Sequence, residues 1–406
     1  MQGQGARAAA VIAAVFALSG WFTAATASAA PVGCAWLGES DQRDVNVGAP
    51  DLDAFYVQDE LVPDASSAVT IRGRFPYARY FSFHAYDAQG NVLGSIYDRQ
   101  ITADRGSTNP YRHASRGARD FYTVHVVFTP APAHRAANTL YADPAKSGPV
   151  ATLIYRIYVP RTTSDPSGDV GYPAVTISRG GQTVVEQGGC VTSPPPFGSD
   201  IWKLESENDY PDAFPSPATS AATKTPTWTR SYGSRLGNEQ NAYLGAILSR
   251  EFGELVVIHT RAPSFPDTLR GRPPYAKAQL RYWSFCTYDD QGQAGWGCAA
   301  DYESAARRGT LTYVISDPGR RPLNATARNG VAWLPWGATQ SSIQVVYRNM
   351  LPAPSFRYAA QRIKQGQSAQ RVMGPYYPQA AYCSKVTFER GGWKACFTEA
   401  GISVAR

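Results

Sequence analysis

Beyond its N-terminal segment the 406-residue chain has no apolar run near the roughly 18 residues a membrane span needs, so no helical span is expected in the mature protein. Methionine is scarce, at three, and only seven of the 39 basic residues are lysine. The basic residues are scattered, so nucleic acid has no patch to bind and is not expected as a partner. A Gly-x-Ser-x-Gly elbow, a His-Glu-x-x-His helix, a phosphate-cradling Gly-x-x-x-x-Gly-Lys loop and a dinucleotide fingerprint are all missing. The five histidines, at 84, 113, 125, 134 and 259, are dispersed and none falls in a metal-ligand spacing. Neither a metal nor a cofactor is expected.

What is present points first to export. A short n-region with Arg7, an apolar stretch from Ala8 to Phe22 and the small-residue pattern Ala27-Ser28-Ala29 read as a cleaved leader over 1–29. The mature chain would start at Ala30 and carry about +6 of the full chain's net charge of +7. All six cysteines, Cys34, Cys190, Cys286, Cys298, Cys383 and Cys396, fall in that mature part. An even number in an exported chain implies disulfides, and the location expected is extracellular or in the cell envelope. The excess of Arg over Lys, with abundant Ala, suits a high-GC bacterial genome, of which an actinobacterial one is the obvious case. Twenty-four Tyr, 36 Gly and 30 Pro favour many short strands over long helices.

An internal repeat organises the chain. Arg79-Tyr-Phe-Ser-Phe-His-Ala-Tyr-Asp-Ala-Gln-Gly90 returns as Arg281-Tyr-Trp-Ser-Phe-Cys-Thr-Tyr-Asp-Asp-Gln-Gly292, identical at eight of twelve positions. Further anchors follow in the same order: 53–57 with 241–245, 69–76 with 256–263, 154–160 with 346–352, and 175–181 with 386–392. The expected organisation is a first domain over 30–190, a Pro/Ser/Thr-rich linker over 191–229 and a second domain over 230–406. The second copy carries a Pro-rich insertion between Ser264 and Ala276 and another from Ser355 to Gly374, where Arg357 to Lys364 favours a short helix.

Within each copy the pattern is strand-like. Phe81, Phe83 and Ala85 alternate with Tyr80, Ser82, His84 and Tyr86, and Arg179-Gly-Gly and Arg390-Gly-Gly read as hairpin turns. The fold class is all-β: two tandem antiparallel, jelly-roll-like β-sandwich domains from an internal duplication, the second with a short helical insertion. Cys34 with Cys190 would clip the ends of the first copy, and Cys286 with Cys298 and Cys383 with Cys396 would each close a turn. The stretches 74–83, 106–110, 138–141 and 155–160, with Trp333-Leu-Pro335 and Val346-Tyr-Arg348, resemble uncharacterised exported proteins of actinobacteria and proteobacteria with a bacterial β-sandwich domain of unknown function. That resemblance implies the fold and transfers no catalytic residue.

Three sets of residues could carry function. His84 shares a strand face with Ser82 and the two tyrosines, and Asp87 follows, so His84 and Asp87 could supply general-base chemistry; a sheet histidine bonded to its neighbours is the plainer reading. Arg79 and Arg156, which recur as Arg281 and Arg348, could grip an anionic ligand beside Tyr80 and Tyr86, or pair with local carboxylates. Trp296, Trp336 and Trp393 could stack on sugar rings, whereas Trp283 replaces Phe81 and belongs to the core. The reading favoured is an exported binding protein whose partner is a carbohydrate or another cell-surface component. An extracellular hydrolase using His84 and Asp87 is the alternative, and a purely structural interaction protein the third.

Overall fold

The computed structural model describes residues 33–36, 38–40, 48–59, 67–112, 116–117, 119–190, 222–233, 235–290, 292, 294–337 and 339–403. The expected leader and most of the expected linker lie outside these residues.

Strand formation follows the alternation of side chains along the first half. Its strands are β1 (Gly38–Ser40), β2 (Ala54–Asp59), β3 (Ser67–Arg74), β4 (Ala78–Asp87), β5 (Val92–Tyr97), β6 (Phe121–Val127), β7 (Thr139–Tyr141), β8 (Val150–Pro160), β9 (Ala174–Arg179) and β10 (Gln182–Gln187). They form two sheets, ordered β1-β2-β8-β4-β5 and β10-β9-β3-β6-β7. Inward residues from both, among them Phe81, Phe83 and Tyr155 from one and Val69, Val124 and Val175 from the other, make one core. Two sheets packed through such a layer are a β-sandwich.

The second half has β11 (Thr229–Ser231), β12 (Asn241–Ser249), β13 (Leu255–Arg261), β14 (Tyr282–Tyr288), β15 (Gly295–Ala300), β16 (Thr310–Ser316), β17 (Val331–Pro335), β18 (Ser342–Met350) and β19 (Gln379–Cys383). Its sheets run β11-β12-β18-β14-β15 and β17-β16-β13-β19. The strand order matches that of the first half except that β10 has no counterpart, and the parallel pairing of β7 on β6 recurs as that of β17 on β16. Register matches too: Arg156 lies between Tyr56 and Ser82, and Arg348 between Tyr243 and Ser284. Trp228, at the end of the expected linker, packs into the second core against Phe285.

The second hairpin expected at Arg390-Gly-Gly is not there. Residues Lys385–Glu399 form a helix, broken in its φ/ψ course at Gly392. Ser384 caps its start, accepting from the Thr387 N–H, and Lys385 pairs with Glu389 one turn on. Phe388, Cys396 and Phe397 face the β13 sheet. The strand beside β13 is β19, directly before this helix, so the likeness of 386–392 to 175–181 did not carry the same structure. In the insertion from Ser355, Arg357 to Lys364 makes only a 3-10 turn at Ala360–Arg362, and the short helix is Ala369–Met373. In chain order, α1 is Ala369–Met373 and α2 is Lys385–Glu399.

Cys34–Cys190, Cys286–Cys298 and Cys383–Cys396 are bonded in the pairing the spacing implied. Three disulfides indicate an oxidising compartment. Among the described residues no helix is long and apolar enough to cross a membrane.

Candidate functional site

All ten residues of β4 and all seven of β14 are buried. Alternation accounts for one face of each, which fills its own sandwich. The other face, polar by sequence, is covered by the opposite half, since both sandwiches belong to the compact unit Val32–Arg406.

The covering is reciprocal. In the loop before β12, the carbonyl of Leu236 accepts from the Arg156 guanidinium and that of Gly237 from the Tyr86 hydroxyl at 2.8 Å. Tyr80 donates to Gln240 Oε1 at 2.8 Å, and the Glu239 N–H donates to His84 Nε2 at 3.3 Å. In the loop before β2, the Ala49 carbonyl accepts from Arg348 at 2.7 Å and the Pro50 carbonyl from Tyr288 at 2.8 Å. Asp51 accepts from Tyr282 at 2.8 Å and from Ser284 at 2.6 Å. Ala49 and Leu236 occupy matching places, and both have left-handed backbone, with φ of 52° and 48°. Such a conformation costs a non-glycine residue about 1 kcal/mol, and here it aims each carbonyl at the opposing arginine.

Crossed ion pairs complete this seam. Arg79 pairs with Asp301, which follows β15, and Arg281 pairs with Asp98, which follows β5, at 3.2 Å. Burial raises both carboxyls, Asp301 to about 6, against the pull of the facing guanidinium. His84 has no exposed surface, and its Nδ1 lies 3.2 Å from Ser82 Oγ. Burial, helped by Arg156, holds its imidazole neutral, well below the usual histidine range. Asp87 folds back on its own turn, accepting from the N–H groups of Gln89 and Asn91 and from the Asn91 amide. The residues expected to grip a ligand or activate water are therefore bonded across a domain seam or into a turn.

Two cavities open at the edge of that seam, on either side of the Pro-rich insertion, and share Pro274 and Tyr275. One, of about 420 Å³, is walled by Tyr77, Pro110, Leu269 and Pro273 with Arg116, Arg161 and Arg272. The other, of about 620 Å³, is walled by Tyr97, Pro266 and Pro352 with Arg99, Lys277 and Arg281. Among the described residues, every charged side chain lining either cavity is a cation. Arg116 and Arg161 flank the Tyr77 ring, at 3.6 and 4.6 Å from its centre. Arg116 is held by Asp120, which Arg74 also contacts, and Arg161 by Asp169. Arg272 and Lys277 have no side-chain partner among the described residues. Arg281 Nη2, though buried, also lacks a hydrogen-bond partner there.

With this geometry in place, the chain can be set beside known proteins. No family model and no curated protein matches it. Among solved structures it is similar to an uncharacterised protein from Burkholderia cenocepacia, at 14% identity over 87% of this chain and 82% of that one, with a TM-score of 0.53. A protein from Vibrio parahaemolyticus is 12% identical over 83% of this chain and 90% of that one, at a TM-score of 0.40. The first likeness is one of fold. It shows that the two-sandwich arrangement occurs in a bacterial protein of quite different sequence.

The tryptophans separate. Trp336 is buried, its indole N–H donating to the Gln340 carbonyl. Trp296, at 37% exposure, lies against Gly337, where a Cβ would fall 2.7 Å from the ring. Trp393 lines a further cavity on α2. Apart from Arg281, which the repeat singles out, the cations of the two seam cavities escaped sequence reading because they come from distant stretches. The one available signal was the insertion at 264–276, which the first copy lacks.

Proposed function

We propose that this is an exported binding protein of the extracellular space or cell envelope, whose ligand is an acidic carbohydrate of a cell surface held in the groove formed by the two seam cavities. The observation that carries this reading is the groove's lining among the described residues: tyrosine and proline walls, charges that are all cations, and one buried guanidinium nitrogen left without a partner there. Flat rings accept the C–H face of a sugar, and planar guanidinium groups take carboxylates in pairs of bonds. Cavities of this size accommodate small ligands or short chain segments. Export is supported by the leader-like start of the sequence and by the three disulfides. A hydrolase built on His84 and Asp87 has no comparable support, because neither residue borders these cavities.

Titration of the purified protein with oligogalacturonate and with a neutral cello-oligosaccharide tests this. The acidic chain should bind more tightly, and more weakly as salt rises. Arg272→Ala combined with Lys277→Ala should cut affinity at least tenfold at unchanged melting temperature. Equal affinity for both glycans, or a double variant that binds as the parent does, would sink the proposal.

A further inference from the structure

Helix α2 covers the outer face of the β13 sheet, opposite the core. Beside it lies a cavity of about 340 Å³ bordered by His259 of β13, Thr312 of β16, Trp393 of α2, and Arg307, Asn324 and Asn329 from loops. Four of its features are unlike a filled structural hollow. The imidazole of His259 stacks flat on the Trp393 indole, with ring centres 3.7 Å apart and planes 9° apart. Its Nδ1 is 3.0 Å from Thr312 Oγ1, so no described hydrogen bond occupies Nε2. Asn324 gives its amide N–H groups to the carbonyls of Phe388 and Glu389, leaving Oδ1 buried without a partner among the described residues. A buried acceptor left unpaired is unfavourable, and a bound hydroxyl would satisfy it.

The fourth feature is charge. Arg307 has no carboxylate partner among the described residues, and its stem lies over Gly330, where a Cβ would fall 2.5 Å from Arg307 Cδ. Lys394 adds a second cation near the Trp393 ring, 5.8 Å from its centre. Burial first and Lys394 second lower His259 to about 4, so at neutral pH the ring is uncharged and can exchange hydrogen bonds with hydroxyls. The Arg307 cation in the lining, an unfilled buried acceptor and a neutral imidazole backed by an indole complement a small polyol that carries one negative charge.

We propose that this cavity binds a single anionic sugar unit, its carboxylate or phosphate on Arg307 and a hydroxyl on Asn324. The site is separate from the seam groove and does not depend on it. Calorimetric titration of the full mature protein with glucuronate, glucose 6-phosphate and glucose tests it, and the tighter of the two anions identifies the charged group. At least one anion should bind tenfold or more tightly than glucose. Arg307→Gln should remove that preference without moving the melting temperature, whereas Arg272→Ala with Lys277→Ala should leave it intact. Absence of binding by either anion, glucose binding equally well, or an Arg307→Gln protein that keeps its preference would overturn the proposal. Loss of binding in the groove variant would assign the sugar to the groove and overturn it too.

Discussion

His84 has both ring nitrogens engaged, one by Ser82 of its own strand and one by the Glu239 N–H of the opposite half. Replacing it with Ala would leave that N–H without its acceptor and open a small void beside Arg156. A loss of about 1–3 kcal/mol is expected, read as a lower urea midpoint and melting temperature. An unchanged melting temperature would mean that the seam does not use the ring. Asp53 makes the complementary case for charge. It is 8% exposed, accepts from the Tyr302 hydroxyl, and has its pKa raised to about 8 by burial, then by Asp51 and Glu303. In the unfolded chain the same group ionises near pH 4. Between those values the folded protein holds a proton that the unfolded one has lost, so stability falls as pH rises and levels off above about 8. The slope is at most about 1.4 kcal/mol per pH unit. Asp53→Asn should remove this component in unfolding curves taken from pH 5 to 9, and equal slopes in both proteins would refute the assignment.

At the scale of strands, β4 shows what sequence could and could not say. The alternation of Phe81, Phe83 and Ala85 with Tyr80, Ser82, His84 and Tyr86 was legible and correctly placed the core face. Its other face reads as polar, and polarity alone does not distinguish a solvated sheet face from one covered by a domain offering matching acceptors. That information sits about 150 residues away, in the carbonyls of Leu236 and Gly237. The helix α2 was missed for a related reason: a short match to 175–181 outweighed the cap at Ser384 and the Lys385–Glu389 spacing. The crossed ion pairs test the joining of β4 to the strand ends opposite. Asp301→Asn keeps an acceptor for the Trp283 N–H, which Asp301 now receives, but leaves the buried Arg79 charge without its counter-ion. A cost of about 3–5 kcal/mol is expected. Adding Arg79→Met should recover at least half of it in urea unfolding, since the stranded charge is then gone. A double variant no more stable than the single one would show that Arg79 contributes mainly through packing on Phe265 and Tyr302.

For the molecule as a whole, the seam decides whether two sandwiches behave as two domains or as one. Domains joined only by a linker unfold separately, whereas a large, well-satisfied interface couples them. Here each half lends a loop to the other, and a shared cluster of Tyr80, Tyr158, Tyr282 and Met350 lies between them. Tyr158 and Tyr282 meet edge to face, with ring centres 5.2 Å apart. Opening the seam would expose this cluster and separate the Arg79–Asp301, Arg281–Asp98 and Arg348–Asp51 ion pairs at once, while leaving Arg156 and Arg348 to be solvated on bare sheet faces. Neither half can therefore melt without removing the cover from the other. Scanning calorimetry of the oxidised mature protein should give one transition whose calorimetric and van't Hoff enthalpies agree. Arg348→Ala, which removes the bond to the Ala49 carbonyl, should move that single transition to lower temperature without splitting it. Two resolved transitions in the parent protein, or a variant in which only part of the heat absorption shifts, would show that the reciprocal loops bind the sandwiches together too weakly to make them fold as a unit.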